Sequence, residues 1–143
     1  METKAITRAE GWEVRLNSTI EKYLNERFIW GESDCLIFMA DCLCAVSNVN
    51  IMADWRGDYD TEEEAYELLN LCTGGNNEVI FKGLSRVENV AFAQRGDIGI
   101  AFIDEKEFFG VVDLSGSNFL IRTELGLKKV KLRESKLKLW RAE

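Results

Sequence analysis

Apolar positions along the chain change their period near its middle. Trp12, Leu16, Ile20 and Leu24 recur every fourth residue, with Tyr23 beside them. That is one face of an amphipathic helix, predicted over Arg8 to Arg27. Gly31 then breaks the chain. The stretch "CLIFMADCLCAV" that follows is apolar almost all round, and Asp41 is its only charge. A helix of that kind, from Cys35 to Val46, belongs in the middle of a domain. Ser33 or Asp34 can cap it, because a short side-chain oxygen accepts from the free N–H groups of the first turn. "TEEE" reads as a capping box, with Thr61 as N-cap and Glu64 at the third helical position. Ala65, Leu68, Leu69 and Cys72 then supply the apolar face of a third helix, which Gly74-Gly75 ends.

After Gly96 the pattern becomes one of short strands. "DIGIAFI" (97–103), "FFGVVDL" (108–114), "NFLIRT" (118–123), "LKKVKL" (127–132) and "KLKLW" (136–140) are rich in aliphatic and aromatic residues. "DEKE", "SGS" and "ELG" separate the earlier ones, and such short connections favour an antiparallel meander. Helices first and strands second predict an α+β fold. A length of 143 residues suits one domain over 1–143, mainly helical in 1–75 and mainly antiparallel strand in 97–141.

Charge and cysteine content narrow the function classes. Hydrophobic residues are 46% and charged residues 30%, which speaks against a disordered chain. The net charge of −7 argues against nucleic acid or an anionic membrane as the main partner. Lys128, Lys129, Lys131, Arg133, Lys136 and Lys138 alternate with Val130, Leu132, Leu137 and Leu139, as the solvated face of strands does. "METKAITRAE" has no apolar signal region, and no stretch approaches the ~20 apolar residues of a membrane span. A reducing cytoplasm and free thiols are therefore expected. The cysteines at 35, 42, 44 and 72 form no CxxC pair, and the chain has no histidine, so neither a metal site nor a cofactor is implied. Cys42 and Cys44 read as small core residues.

The order of the motifs brings in a resemblance. Asp34-Cys35 opens a buried helix, Gly96-Asp97 leads into a strand, and Phe108-Phe109-Gly110-Val111 follows. This layout resembles the NlpC/P60 group of papain-like cysteine peptidases, which cleave peptide bonds in bacterial cell walls. Over nearly the whole chain, "FIWGESDC", "ADCLCAV", "MADWRGDYDTEEEA", "QRGDIGI", "GVVDLSG" and "LGLKKVKL" resemble a family of short phage and prophage proteins found among tail genes. The resemblance implies a papain-like fold with N-terminal helices on a small antiparallel sheet. It also implies other tail or tail-tip proteins as partners, and a location in the virion tail after assembly in the host cytoplasm. Cys35 would be the nucleophile. Here the sequence departs from the pattern: Phe108, or Phe109 in a register shifted by one, stands where the catalytic histidine should be.

Two readings of Cys35 follow. As a nucleophile it would sit at a helix N-terminus, where backbone N–H groups and the helix dipole favour a thiolate. It would lack the acid that protonates the leaving amine, and Asp34 would oppose the thiolate. As a packing residue it is a small, soft side chain kept where a dyad once worked. "WRGDYDTEEEA" also reads two ways. Trp55, Arg56 and Tyr59 are candidates for an exposed aromatic–arginine interface, or Gly57 turns the chain while Tyr59 covers the core edge. Arg95-Gly96-Asp97 is expected to be a turn into a strand. The leading expectation is a non-catalytic phage virion component of the tail tip or its assembly. The alternative is a cysteine hydrolase acting on peptidoglycan during infection, with a base from another chain, and Ser115, Ser117 and Asn118 orienting groups nearby. An acidic intracellular inhibitor of a host protein is a third.

Overall fold

In the computed structural model, which describes residues 4–143, three helices precede a six-stranded antiparallel sheet. Helix α1 spans Trp12–Leu24, four residues shorter at its start than the periodicity predicts. The preceding segment is tied elsewhere: Ile6 N–H donates to Gly83 O, Arg8 N–H to Glu143 O and Ala9 N–H to Val46 O. Gly11, in the left-handed conformation at φ 77°, turns that segment into the helix. Residues four apart drift by about 40° around a helix. By Leu24 the apolar row has rotated off the core, leaving that side chain 64% exposed, and Tyr23 takes its place.

Helix α2, Cys35–Ser47, is buried on nearly every side. It packs between α1 and the sheet, touching β2 (Ile98–Ile103), β3 (Lys106–Val112) and β4 (Asn118–Thr123). Helix α3, Glu62–Thr73, is capped as the sequence predicts, with Glu64 N–H donating to Thr61 Oγ1 at 3.2 Å. The Glu64 carboxylate reaches back to the N–H of Asp60 instead of that of Thr61. Its buried stripe is Ala65, Leu69 and Thr73, so Cys72 faces solvent, contrary to expectation. A narrow stripe four residues apart suffices because α3 packs chiefly on Ile37, Tyr59 and the short 77–81 turn, with Leu69 reaching the main core.

The sheet is completed by β1 (Ser85–Val87), β5 (Gly126–Lys131) and β6 (Lys136–Arg141), in the order β1-β6-β2-β3-β4-β5. Strands β2 to β5 form the expected meander. The last strand instead crosses back to pair with β2, and β1, which the sequence reading missed, pairs with its outer edge. Both faces are covered. Ile98, Ile100, Phe109, Val111, Leu120 and Trp140 meet the helices. Ala101, Val112, Phe119, Ile121 and Leu139 form a second core closed by Leu132 and Val90. The single-turn segments 90–92 and 132–134 touch each other, linking the two ends of the curled sheet. Gly99 and Gly110, paired across β2 and β3, permit this curl. A Cβ on either would come within 2.0 Å of a neighbouring carbonyl oxygen, Lys138 O or Leu120 O. Among the described residues no helix is long and apolar enough to cross a membrane.

The β2–β3 hairpin turns on Asp104 and Glu105, both left-handed at φ 50° and 64° without a glycine. Such residues cost about 1 kcal/mol each. Glu105→Gly is expected to raise the unfolding free energy by about 0.5–1 kcal/mol in urea denaturation. A loss of stability would show that the Glu105 side chain holds the turn.

Candidate functional site

Two loop motifs interlock ahead of α2. Asp34 is its N-cap, and its carboxylate is fully buried. Oδ1 accepts from Ile37 N–H at 3.1 Å. Oδ2 accepts from Gly31 N–H at 2.8 Å and from Tyr59 Oη–H at 2.7 Å. Gly57 N–H donates to Gly31 O at 2.8 Å, which zips the second loop to the first. The contact is so close that a Cβ on Gly31 would lie 2.0 Å from Tyr59 O. Trp30-Gly31-Glu32-Ser33-Asp34 and Arg56-Gly57-Asp58-Tyr59 are thus one structural unit. Ser33, the other candidate cap, instead folds its own loop, accepting from Ile29 N–H and donating to Arg27 O.

Arg122 fixes this unit to the sheet from below. Its side chain is 1% exposed and makes no ion pair among the described residues. Nε donates to Ser33 O at 3.0 Å, Nη1 to Tyr23 O at 2.7 Å and Nη2 to Glu26 O at 2.7 Å. The guanidinium also lies over the Tyr23 ring, 5.2 Å from its centroid. A cation at the end of α1 suits the negative end of that helix's dipole. Its burial pulls the guanidinium's pKa down. Sequence reading missed Arg122, although strand alternation places it on the same inward face as Leu120.

Cys35 is the first residue of α2, 6% exposed. Burial, and then the Asp34 carboxylate beside it, push its thiol from 9.0 up to about 12. Backbone hydrogen bonds with Phe109, Leu36 and its own main chain pull the other way and lose. At neutral pH the sulfur is a protonated thiol. A cleft of about 340 Å³ reaches it, lined by Phe28, Trp30, Tyr66 and Phe108 among others, with Glu62, Lys106 and Glu124. Phe108 therefore stands in the same cleft as the cysteine. Tyr66 is pushed up to about 12, first by burial, and is no base at neutral pH.

The remaining candidates separate. Tyr59 is buried, Trp55 half-buried, and only Arg56 of the three is exposed, so an exposed aromatic cluster does not form. Arg56 donates to Glu32 O at 3.1 Å and pairs with Asp41 at 2.6 Å. Asp41 also accepts from Tyr23 Oη–H, so the one charge of α2 is neutralised at the surface. Ser115, Ser117 and Asn118 gather around the Asp113 turn, and none lines the Cys35 cleft. Arg95-Gly96-Asp97 is a turn, with Asp97 N–H donating to Gln94 O. The buried Asp97 carboxylate accepts twice from Arg141, at 2.8 and 2.9 Å. Cys42 is buried, but Cys44 is only half-buried, on the groove beside α1. All four thiols are free, and among the described residues no group of His, Cys, Asp or Glu is placed to hold a metal ion.

Tyr59→Phe removes a donor from a buried carboxylate and is expected to cost about 1.5–3 kcal/mol in urea denaturation. A change within about 0.5 kcal/mol would show that the loops stand without it. The raised thiol also has a pH signature. Unfolded cysteines ionise near 9.0 while native Cys35 keeps its proton to about 12. The native state then binds more protons, so stability is full below the lower value and falls as pH rises between the two. Cys35→Ser removes its share of that loss, read as a flatter dependence of the urea midpoint on alkaline pH.

No curated protein and no solved structure matches this chain. One family model does, over residues 7–142, which takes in both interlocked loops, the cleft and the whole sheet: the chain belongs to the family described as a domain of unknown function, DUF6950.

Proposed function

We propose that this protein is a non-catalytic phage virion component, a structural or assembly protein of the tail tip, built on a degenerate papain-like fold of the NlpC/P60 type. The observation that supports this reading best is the content of the Cys35 cleft. A cysteine peptidase needs a group within hydrogen-bond reach that first takes the thiol proton and then gives one to the leaving amine. Both residues in register for that place are phenylalanines, Phe109 packing in the core with Cys35 and Phe108 against the far face of the sheet, and the cleft holds a thiol protonated to about 12 and a tyrosine that keeps its own proton. Helices ahead of an antiparallel sheet, with the cysteine at a buried helix start, agree with the inherited scaffold. Fold likeness does not confer activity without the site. Its partners are other tail proteins.

The cleft's opening onto Cys35 favours one second reading, a cysteine hydrolase acting on peptidoglycan with a base from a neighbouring chain. The two readings differ in the laboratory. In a cell-wall zymogram the purified protein is expected to give no clearing, with or without Cys35→Ser. Phage carrying Cys35→Ser are expected to assemble and infect as the parent does. Clearing that the substitution abolishes would establish the hydrolase, and purified particles lacking the protein would refute its place in the virion.

A further inference from the structure

We propose that the outer edge of β5 receives an acidic, extended segment of a partner polypeptide, which adds to the six-stranded sheet as a further antiparallel strand. The proposal concerns a different surface from the Cys35 cleft and holds whether that cleft cuts or not.

The two borders of the sheet differ. Strand β1 is three residues long, and its Arg86 is engaged by Glu78 and by the Trp140 ring. Strand β5 runs for six residues, Gly126–Lys131, and among the described residues it pairs with β4 alone. In an antiparallel ladder alternate residues turn their N–H and C=O groups to opposite sides. About half of the peptide groups of β5 therefore point away from β4, and these are the groups an added strand bonds.

The side chains select the kind of strand. Lys128, Lys129 and Lys131 are exposed on this edge, and Arg133 follows in the next turn. Among the described residues none of the four forms an ion pair. Glu124 and Glu134, in the turns at either end, pair with no cation there either. On the other strands only Lys136 is likewise unengaged: Arg86, Lys106, Lys138 and Arg141 are held by carboxylates and Arg122 by carbonyls. The net charge is −7, so carboxylates are in excess, yet none is placed against this row. A row of unpaired cations on an acidic protein is complementary to a carboxylate-rich partner.

The pairing with β4 fixes the faces. Leu127, Lys129 and Lys131 stand opposite Arg122, Leu120 and Asn118, on the helix side of the sheet. Lys128 and Val130 stand opposite Ile121 and Phe119, on the other side. Leu127 packs against the main core and Val130 against the second. Residues opposite one another on neighbouring strands share a face. An antiparallel partner therefore reads Glu-Val-Glu-Glu-Leu. Its carboxylates meet the three lysines, and its apolar side chains lie beside Val130 and Leu127, extending each core by one strand.

The probe is the peptide acetyl-Gly-Glu-Val-Glu-Glu-Leu-Gly-amide, titrated into the full chain, with amide hydrogen exchange read by NMR. Alternate amides of Gly126–Lys131 are expected to exchange fast in the protein alone and about tenfold more slowly at saturating peptide, with the effect weakening as salt rises. A peptide with lysine in place of each glutamate should not protect them. Nor should one N-methylated at alternate residues, which keeps the charge and loses the donors. Lys128→Gln, Lys129→Gln and Lys131→Gln together should weaken binding about tenfold. Slow exchange of the β4 amides in that variant shows that its sheet is intact. No protection up to about 2 mM peptide, or equal binding by the lysine peptide or the substituted protein, overturns the proposal. Equal binding by the N-methylated peptide would reduce it to charge attraction without an added strand. Protection that rises with protein concentration alone would make a second copy the occupant and overturn it too.

Discussion

Helix α2 is apolar on all but the edge that carries Asp41 and Cys44, and the rest of the molecule is arranged to enclose it. Helix α1 covers one side and the sheet another, while the Tyr59 loop and α3 close around Ile37. Enclosing a helix also buries the free N–H groups of its first turn, which must be satisfied without water. Asp34 does this, and its second oxygen is then free to gather Gly31 and Tyr59. Cys35 is buried because it is the residue that follows such a cap. The raised pKa of its thiol is thus a consequence of the same enclosure that buries the helix.

Among the described residues four charged side chains are buried, and three of them are saturated each by a different means. Asp34 is held by two amides and a phenol, Asp97 by a bidentate guanidinium, and Arg122 by three carbonyls. Among the described residues no buried side-chain nitrogen or oxygen lacks a partner. Such groups cost much more to leave unpaired than they contribute when paired. Their value is therefore positional. Arg122 fixes β4 against the end of α1 and the loop before α2, and Arg141 fixes the last strand against the turn that starts β2.

The elements with a clear period or a local chemical signal were legible in the sequence. The capping box at Thr61, the start of α2 at Cys35 and the extent of β4 all follow from neighbouring residues. What was not legible depends on distant parts of the chain. Strand β1 is three residues long and exists only because β6 returns beside it. Tyr59 reads equally as an interface aromatic or as cover for the core edge until the buried carboxylate 25 positions earlier is seen to need a donor. Cys44 and Cys72 look buried by pattern, but α2 and α3 are covered over arcs that periodicity alone does not fix. Cys35 was visible as a candidate, and the cleft that reaches it was not, because its lining comes from the segments around Trp30, Tyr66, Lys106 and Arg122, far apart in the chain.

Strand β5 forms one border of the sheet, and among the described residues its outer side is bonded to no other strand. Bare strand borders are templates on which further chains can stack. Here Lys128, Lys129 and Lys131 stand exposed along it. A second copy aligning on that border would bring its own row of ammonium groups against the first, at the spacing of neighbouring strands. The border therefore repels its own kind while staying open to water.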